Sequence, residues 1–258
     1  MRTLICMLCG LLLIAAIAPA GEQGAVMLDI GHQSDARGAA SPDGRVNEYE
    51  FWCRYAGEVK QVIEDAGYSC LLINRGKAPA DKQLRAACAA AGVVQMNKPD
   101  RGAKRYPSTH YPEHIGCGMV CADYAIDSKA RCVVFLHLNS VGNKWSRKPP
   151  AGLIICNRKN GRVLAESVCN SLQKSLLKVP GGIPYADRKV KVLPRYIGSE
   201  PSAGWMNALD EAGIPAIVFE AVYVNYKQHV DYICREEGAR KLARAIAAGV
   251  VDWLRQSE

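Results

Sequence analysis

Aromatic side chains are scarce in this chain: 7% of its 258 residues are Phe, Trp or Tyr, and only three are Phe. Nucleic-acid surfaces interleave aromatic platforms with basic groups. With so few rings and no recognisable binding module, no nucleic-acid partner is expected. Long apolar runs are absent after residue 17, so nothing beyond that point spans a bilayer. Internal repeats are also missing, which excludes a repeat architecture. Acidic residues are the minority charge, with 25 Asp+Glu against 33 Lys+Arg and a formal charge of +8. Such a balance suits polyanionic surroundings. The attraction is long-ranged and screened by salt, so it concerns encounter rather than fold.

What is present begins with Arg2, an apolar run from Leu4 to Ile17, and Ala18-Pro19-Ala20 ahead of Gly21. This is the pattern of a secretory signal peptide over residues 1–20. The expected product is a mature chain of residues 21–258, exported to the periplasm or cell envelope, without a transmembrane segment. Losing Arg2 leaves 32 basic against 25 acidic residues, or +7. Of eleven cysteines, Cys6 and Cys9 depart with the leader, and the nine that remain cannot all pair within a monomer, the state expected here. Several sit in apolar patterns, where a buried thiol behaves as a small hydrophobe.

Three apolar runs end on polar side chains: AVMLDIGH (Ala25–His32), CVVFLHLNS (Cys132–Ser140) and IPAIVFEAV (Ile214–Val222). Short apolar runs between helical segments read as buried parallel strands, whose ligands gather outside the carboxyl ends. His32, His137 and Glu220 should therefore converge. Between the first two runs, Asn47 can cap a helix whose apolar set Phe51, Trp52, Tyr55, Val59, Val62, Ile63 and Ala66 recurs every three or four residues until Gly67. On that wheel Glu48 faces inward and Glu50 outward. Further strands are expected over Tyr68–Asn74 and Leu153–Cys156. Further helices are expected over Asp81–Ala91, Cys121–Lys129, Leu164–Leu176, Ala203–Ala212 and Ala239–Leu254. The alternation predicts a single α/β domain with a twisted, mostly parallel central sheet flanked by helices on both faces. Residues 92–118, polar and broken by Pro and Gly, read as an inserted substrate-side loop.

Hydrolytic zinc takes three His or carboxylate ligands and leaves a fourth position for water. His32, Glu48 and His137 supply such a set. The metal lowers the pKa of its water toward 7, and a nearby carboxylate must still move the proton to the leaving amine, a task for Glu220. A competing group, His110, His114, Cys117 and Cys121, has its pairs too close together for a zinc finger. A Cys117–Cys121 disulfide or two unrelated thiols fit it better.

In their order and spacing these residues resemble the zinc-dependent N-acetylmuramoyl-L-alanine amidases of the amidase_3 type. The family's D-x-G-H strand end resembles Asp29–His32, and its helix-opening Glu followed by a helix-ending Gly resembles Glu48 and Gly67. Its S-x-H-x-N strand resembles FLHLN with His137 and Asn139, and its Glu-bearing strand resembles PAIVFE with Glu220. The resemblance implies Zn²⁺ on His32, Glu48 and His137, with Glu220 catalytic. It marks Asn139 and Asn225 as supporting or substrate-side candidates and peptidoglycan or a muropeptide as the substrate. The amide between N-acetylmuramic acid and L-alanine is the bond expected to be cut. Alternatives are another wall-fragment amide, or wall binding without turnover. FLHLNS lacks the small residues usual around the third ligand, and FEAVYVNY lacks the usual glycine after the catalytic Glu. Both departures bear on the substrate cleft.

Overall fold

A computed structural model describes residues 24–96, 112–148, 151–177, 183, 190–193 and 203–258. The expected leader, residues 1–20, lies outside them. In chain order the strands are β1 (Val26–Ile30), β2 (Cys70–Arg75), β3 (Val94–Met96), β4 (Cys132–Leu136), β5 (Gly152–Cys156), β6 (Val190–Leu193) and β7 (Ala216–Glu220). The helices are α1 (Glu48–Asp65), α2 (Lys82–Ala90), α3 (Pro112–Asp127), α4 (Arg162–Leu172), α5 (Ala203–Glu211), α6 (Lys227–Ile233) and α7 (Glu236–Gln256), with a π-helical turn at Gln173–Leu177. The strands form one sheet in the order β3-β2-β1-β4-β7-β5-β6, parallel except where β5 runs against β7.

Strand alternation sorts the apolar residues into two cores. Val26, Leu28 and Ile30 of β1 and Val134 and Leu136 of β4 pack with buried residues of α1, α4 and α7. Their alternates, Met27, Val133 and Phe135, pack with Cys121, Ala122 and Ala125 of α3 and with Trp205, Met206 and Leu209 of α5. This period-two division gives the sheet helices on both faces. The mostly parallel α/β expectation therefore holds.

The start of α1 is set locally. Asn47 is extended, and its side chain accepts from the Glu50 N–H. Gly67, at φ +91°, ends the helix in a conformation that a side chain disfavours. Among the described residues, Cys53, Cys70, Cys88, Cys121, Cys132, Cys156 and Cys169 are buried and outside any disulfide, as their apolar settings suggest.

The reading of 92–118 as wholly irregular needs correction at both ends. Val94–Met96 pairs in parallel with Ile73–Arg75 as an edge strand, and α3 begins at Pro112 rather than Cys121. Gly118 does not break α3: a Cβ there would lie 2.8 Å from the Trp205 ring, so the glycine permits the contact with α5. Residues 97–111 lie outside the described chain. Two further elements, β6 and α6, lie outside the strands and helices expected from the sequence.

The packing of α4 on α7 yields a test. A Cβ on Gly249 would lie 2.4 Å from Val168 Cα and 2.9 Å from its N, both backbone atoms that cannot rotate away. Gly249→Ala gains about 1 kcal/mol of helix propensity. Forcing the helices apart should cost more, for a net loss of roughly 1–2 kcal/mol. Urea unfolding would read this, and an unchanged or higher midpoint would contradict the close packing.

Candidate active site

Parallel register carries three side chains to one edge. Ile30 pairs with Leu136, and Leu136 pairs with Phe219. His32, His137 and Glu220 thus lie one or two residues past, or at the end of, adjacent strands β1, β4 and β7. The chain leaves β1 toward β2 and β3 on one side and continues from β4 on the other. The three residues therefore lie at the carboxyl edge beside a topological switch point, where open α/β sheets bind ligands.

Helix α1 adds Glu48 from its first turn. The Glu48 carboxylate faces His32 Nε2 at 3.1 Å through Oε2 and His137 Nδ1 at 2.9 Å through Oε1. Each oxygen also accepts a backbone N–H at 2.8 Å: Ala39 donates to Oε2 and Leu138 to Oε1. Burial alone would raise the pKa of this carboxyl, but the hydrogen bonds to His137 and His32 outweigh it and hold the pKa at about 2. His137 shifts up: burial opposes its charge, and Glu48, with Glu220, more than compensates. Glu50 points away and pairs with Arg37 at 2.7 Å near the surface.

The donor atoms of His32, Glu48 and His137 lie within 4.8 Å of one another, and the cluster could hold a metal ion. Tetrahedral ligands at ~2.0–2.2 Å from zinc sit about 3.3–3.6 Å apart, a few tenths of an ångström beyond the two contacts above. Two glycines leave the room. A Cβ on Gly31 would fall 2.4 Å from His137 Nε2, and one on Gly38 would fall 2.4 Å from Glu48 Oε2. Gly38 also needs its φ of +72°.

Under this cluster lies a buried ion pair that the sequence reading missed. Arg75 Nε donates to Asp29 Oδ1 at 2.9 Å, and its NH2 group donates to the Gly31 carbonyl at 2.5 Å. The turn delivering His32 is thereby tied to the end of β2. An arginine closing the apolar run CLLINR was the available signal. Asp29 is fully buried, and burial pushes its carboxyl up against the pull of Arg75. Asn74 Nδ2 donates to Tyr49 Oη at 2.9 Å, fastening the start of α1 to the same strand.

Glu220 stands beside this group, near enough for His137 and Glu48 to act on its charge. Burial raises its pKa to about 7; His137 lowers it and Glu48 raises it further. Asn139 Nδ2 reaches the Glu220 carbonyl at 3.5 Å, and the Asn139 backbone bonds Val222 and Val224 at 2.7 and 2.9 Å. Asn225 is buried and clamps the loop after β4. It accepts from Val141 N–H, donates to the Lys144 carbonyl, and its own carbonyl accepts from Ser146 N–H. Of the competing group, Cys121 is a buried free thiol. The side chains of His110, His114 and Cys117 lie outside the described residues.

The family described as Amidase_3, N-acetylmuramoyl-L-alanine amidase, matches residues 26–252. The chain belongs to this family, whose members are amide hydrolases of peptidoglycan. The CwlD amidase from Clostridioides difficile, solved in complex with the GerS lipoprotein, has 16% identity and a TM-score of 0.62 over 90% of this chain and 99% of that one. The N-acetylmuramoyl-L-alanine amidase AmiC2 of Nostoc punctiforme has 18% identity and a TM-score of 0.56 over 91% of this chain and 99% of that one. The catalytic domain of CwlV from Bacillus (Paenibacillus) polymyxa has 16% identity and a TM-score of 0.55 over 90% and 98% of the two chains. At such identities the likeness is one of fold. No curated protein matches the chain.

The raised pKa of Glu220 makes a signed prediction for the protein kept metal-free with a chelator. The folded state holds this proton more tightly than the unfolded chain between about pH 4.5 and about pH 7. Stability therefore falls as pH rises through that interval and stays lower above it. Glu220→Gln removes the penalty, so above pH 7 the variant should exceed the unchanged protein by about 1–3 kcal/mol. The gain should vanish near pH 4.5. Urea unfolding at both pH values would measure it, and a gain independent of pH would contradict the half-buried-carboxylate account.

Proposed function

We propose that this chain is an exported zinc amidase. In this reading residues 1–20 direct export, and residues 21–258 form one monomeric catalytic domain in the periplasm or cell envelope. The bond cleaved joins the lactyl group of N-acetylmuramic acid to L-alanine in peptidoglycan or muropeptides. The observation that carries the reading is the His32–Glu48–His137 cluster with half-buried Glu220 beside it on one sheet edge.

His32, Glu48 and His137 are the proposed zinc ligands: two imidazoles and a carboxylate leave one position open. Bound there, zinc would polarise the scissile carbonyl and acidify a water. Glu220 is the proposed general base and acid. It accepts the proton of the attacking water and returns it to the leaving amine nitrogen, which needs a pKa near the working pH. Its half-buried position supports that tuning. Asn139 and Asn225 act indirectly, holding the strand exit after Glu220 and the loop from Val141 to Ser146. The segment 97–111 follows β3, whose carboxyl end lies on the reactive edge, and is proposed to be a substrate-side insertion within 92–118.

Two measurements together test this: zinc content, and mass analysis of muropeptides after digestion of peptidoglycan, which identifies the bond cut. His32→Ala, Glu48→Ala and His137→Ala should each lower zinc occupancy and activity together. A His32→Ala protein with full zinc would remove it from the ligand set. Glu50→Ala should be nearly silent, because its partner Arg37 is a surface group.

Glu220→Gln separates chemistry from binding. Zinc should stay, and kcat should fall ~100- to 10,000-fold with little change in KM. A folded, zinc-loaded and fully active variant would overturn the role of Glu220.

A further inference from the structure

Helices α1 and α2 meet through Gly57. A Cβ on that residue would lie 2.7 Å from Ala91 Cβ, so the two backbones come close here. Ordinary helix pairs stand ~8–10 Å apart at their axes, with side chains filling the gap. About one turn before this crossing on each element lie Cys53 and Cys88, 2% and 5% exposed. Each thiol is near enough to the other to act on its ionisation. Cys88 Sγ also lies 3.9 Å from the Cys53 carbonyl oxygen. A disulfide spans Cβ atoms roughly 3.5–4.5 Å apart, and a glycine-permitted crossing brings neighbouring Cβ atoms toward that range. The contrast is Cys70 and Cys132. Both pair with Val26, one from each side of β1, which leaves them about two strand spacings, ~9–10 Å, apart and beyond bonding reach.

We propose that Cys53 and Cys88 are a disulfide site that staples α1 to α2 when the protein folds in the presence of a low-molecular-weight disulfide. The Cys88 thiolate attacks one sulfur of the reagent RSSR, forming a Cys88–S–SR mixed disulfide and releasing RS⁻. The Cys53 thiolate then displaces the second RS⁻ and closes the Cys53–Cys88 bond. Two protons pass to the released thiolates, and the two electrons lost by the cysteines reduce RSSR to two RSH. The Cys53 thiol beside Cys88 stabilises its thiolate and lowers its pKa, which favours Cys88 as the first attacker. The bond would close a long loop of the unfolded chain and tie down the helix whose first residue is Glu48. The inference is independent of the reaction proposed above.

The test is refolding of the purified chain from urea in a glutathione redox buffer, followed by alkylation and peptide mass mapping without reductant. The expected result is a peptide pair joined through Cys53 and Cys88, two hydrogens lighter than the separate peptides. The melting temperature should rise by several degrees over the reduced protein. Cys53→Ser and Cys88→Ser should each abolish that rise. Recovery of both cysteines as alkylated free thiols, or each joined to glutathione or to another cysteine, would overturn the proposal. Should a serine variant fail to fold, the map of the unchanged chain decides alone.

Discussion

The site depends on one carboxylate with four neighbours. Glu48 is taken out of water, which would ordinarily favour its protonation. Two backbone N–H groups and two imidazoles instead hold it charged. The partners come from three places: Ala39 from the glycine-bearing loop, His32 from beyond the end of β1, and His137 and Leu138 from the exit of β4. A buried charge this well satisfied fixes geometry as much as it adds stability, because removing any one partner leaves the others facing an unmet acceptor. It positions the start of α1, the loop from Gly31 to Asn47 and two strand ends with respect to one another.

The layer below repeats the device with opposite sign. Arg75 is buried against Asp29 and the Gly31 carbonyl, so the turn that carries His32 is held from beneath by a charge-assisted network. Gly31 has no alternative there, since any Cβ would overlap His137. Glu220 contrasts with both. It is half-buried beside the same groups without comparable hydrogen bonding, and its partial loss of water pushes its pKa toward neutrality. Neighbouring carboxyls on one edge are thereby driven apart, one held ionised and the other able to exchange a proton. Such separation is what acid–base chemistry beside a candidate metal site requires.

What was legible in the sequence was whatever local physics decides. The runs ending in His32, His137 and Glu220 read as parallel strands because both faces of each are buried. Asn47, the apolar stripe and Gly67 marked α1 closely enough to choose Glu48 over Glu50. Elements whose existence depends on distant partners were missed. Val94–Met96 is an edge strand with exposed and half-buried positions and shows no apolar run of its own. Val190–Leu193 alternates with lysine and exists by pairing with β5. The glycines of α3 look like helix breakers in one dimension, whereas Gly118 admits the Trp205 ring. Arg75 escaped notice for a related reason: an arginine ending a strand usually faces water, and only the fold reveals the buried aspartate waiting for it.

One feature of the sheet bears on how this architecture diversifies. Strand β5 runs against β7, with Leu153 opposite Glu220. The chain therefore enters β5 at the reactive edge and leaves it at the far one. A parallel strand in that place would have required the connection from β4 to cross the full depth of the sheet before returning. The reversal starts and ends the connection from β4 to β5 at one edge of the sheet, with Leu138–Lys148 pinned by Asn225 and Ala151 pinned by the Tyr223 hydroxyl on its carbonyl. Insertions or deletions between those two pins alter the rim of the cleft without changing strand register or helix packing. Loop and scaffold are thus separable at this point of the chain.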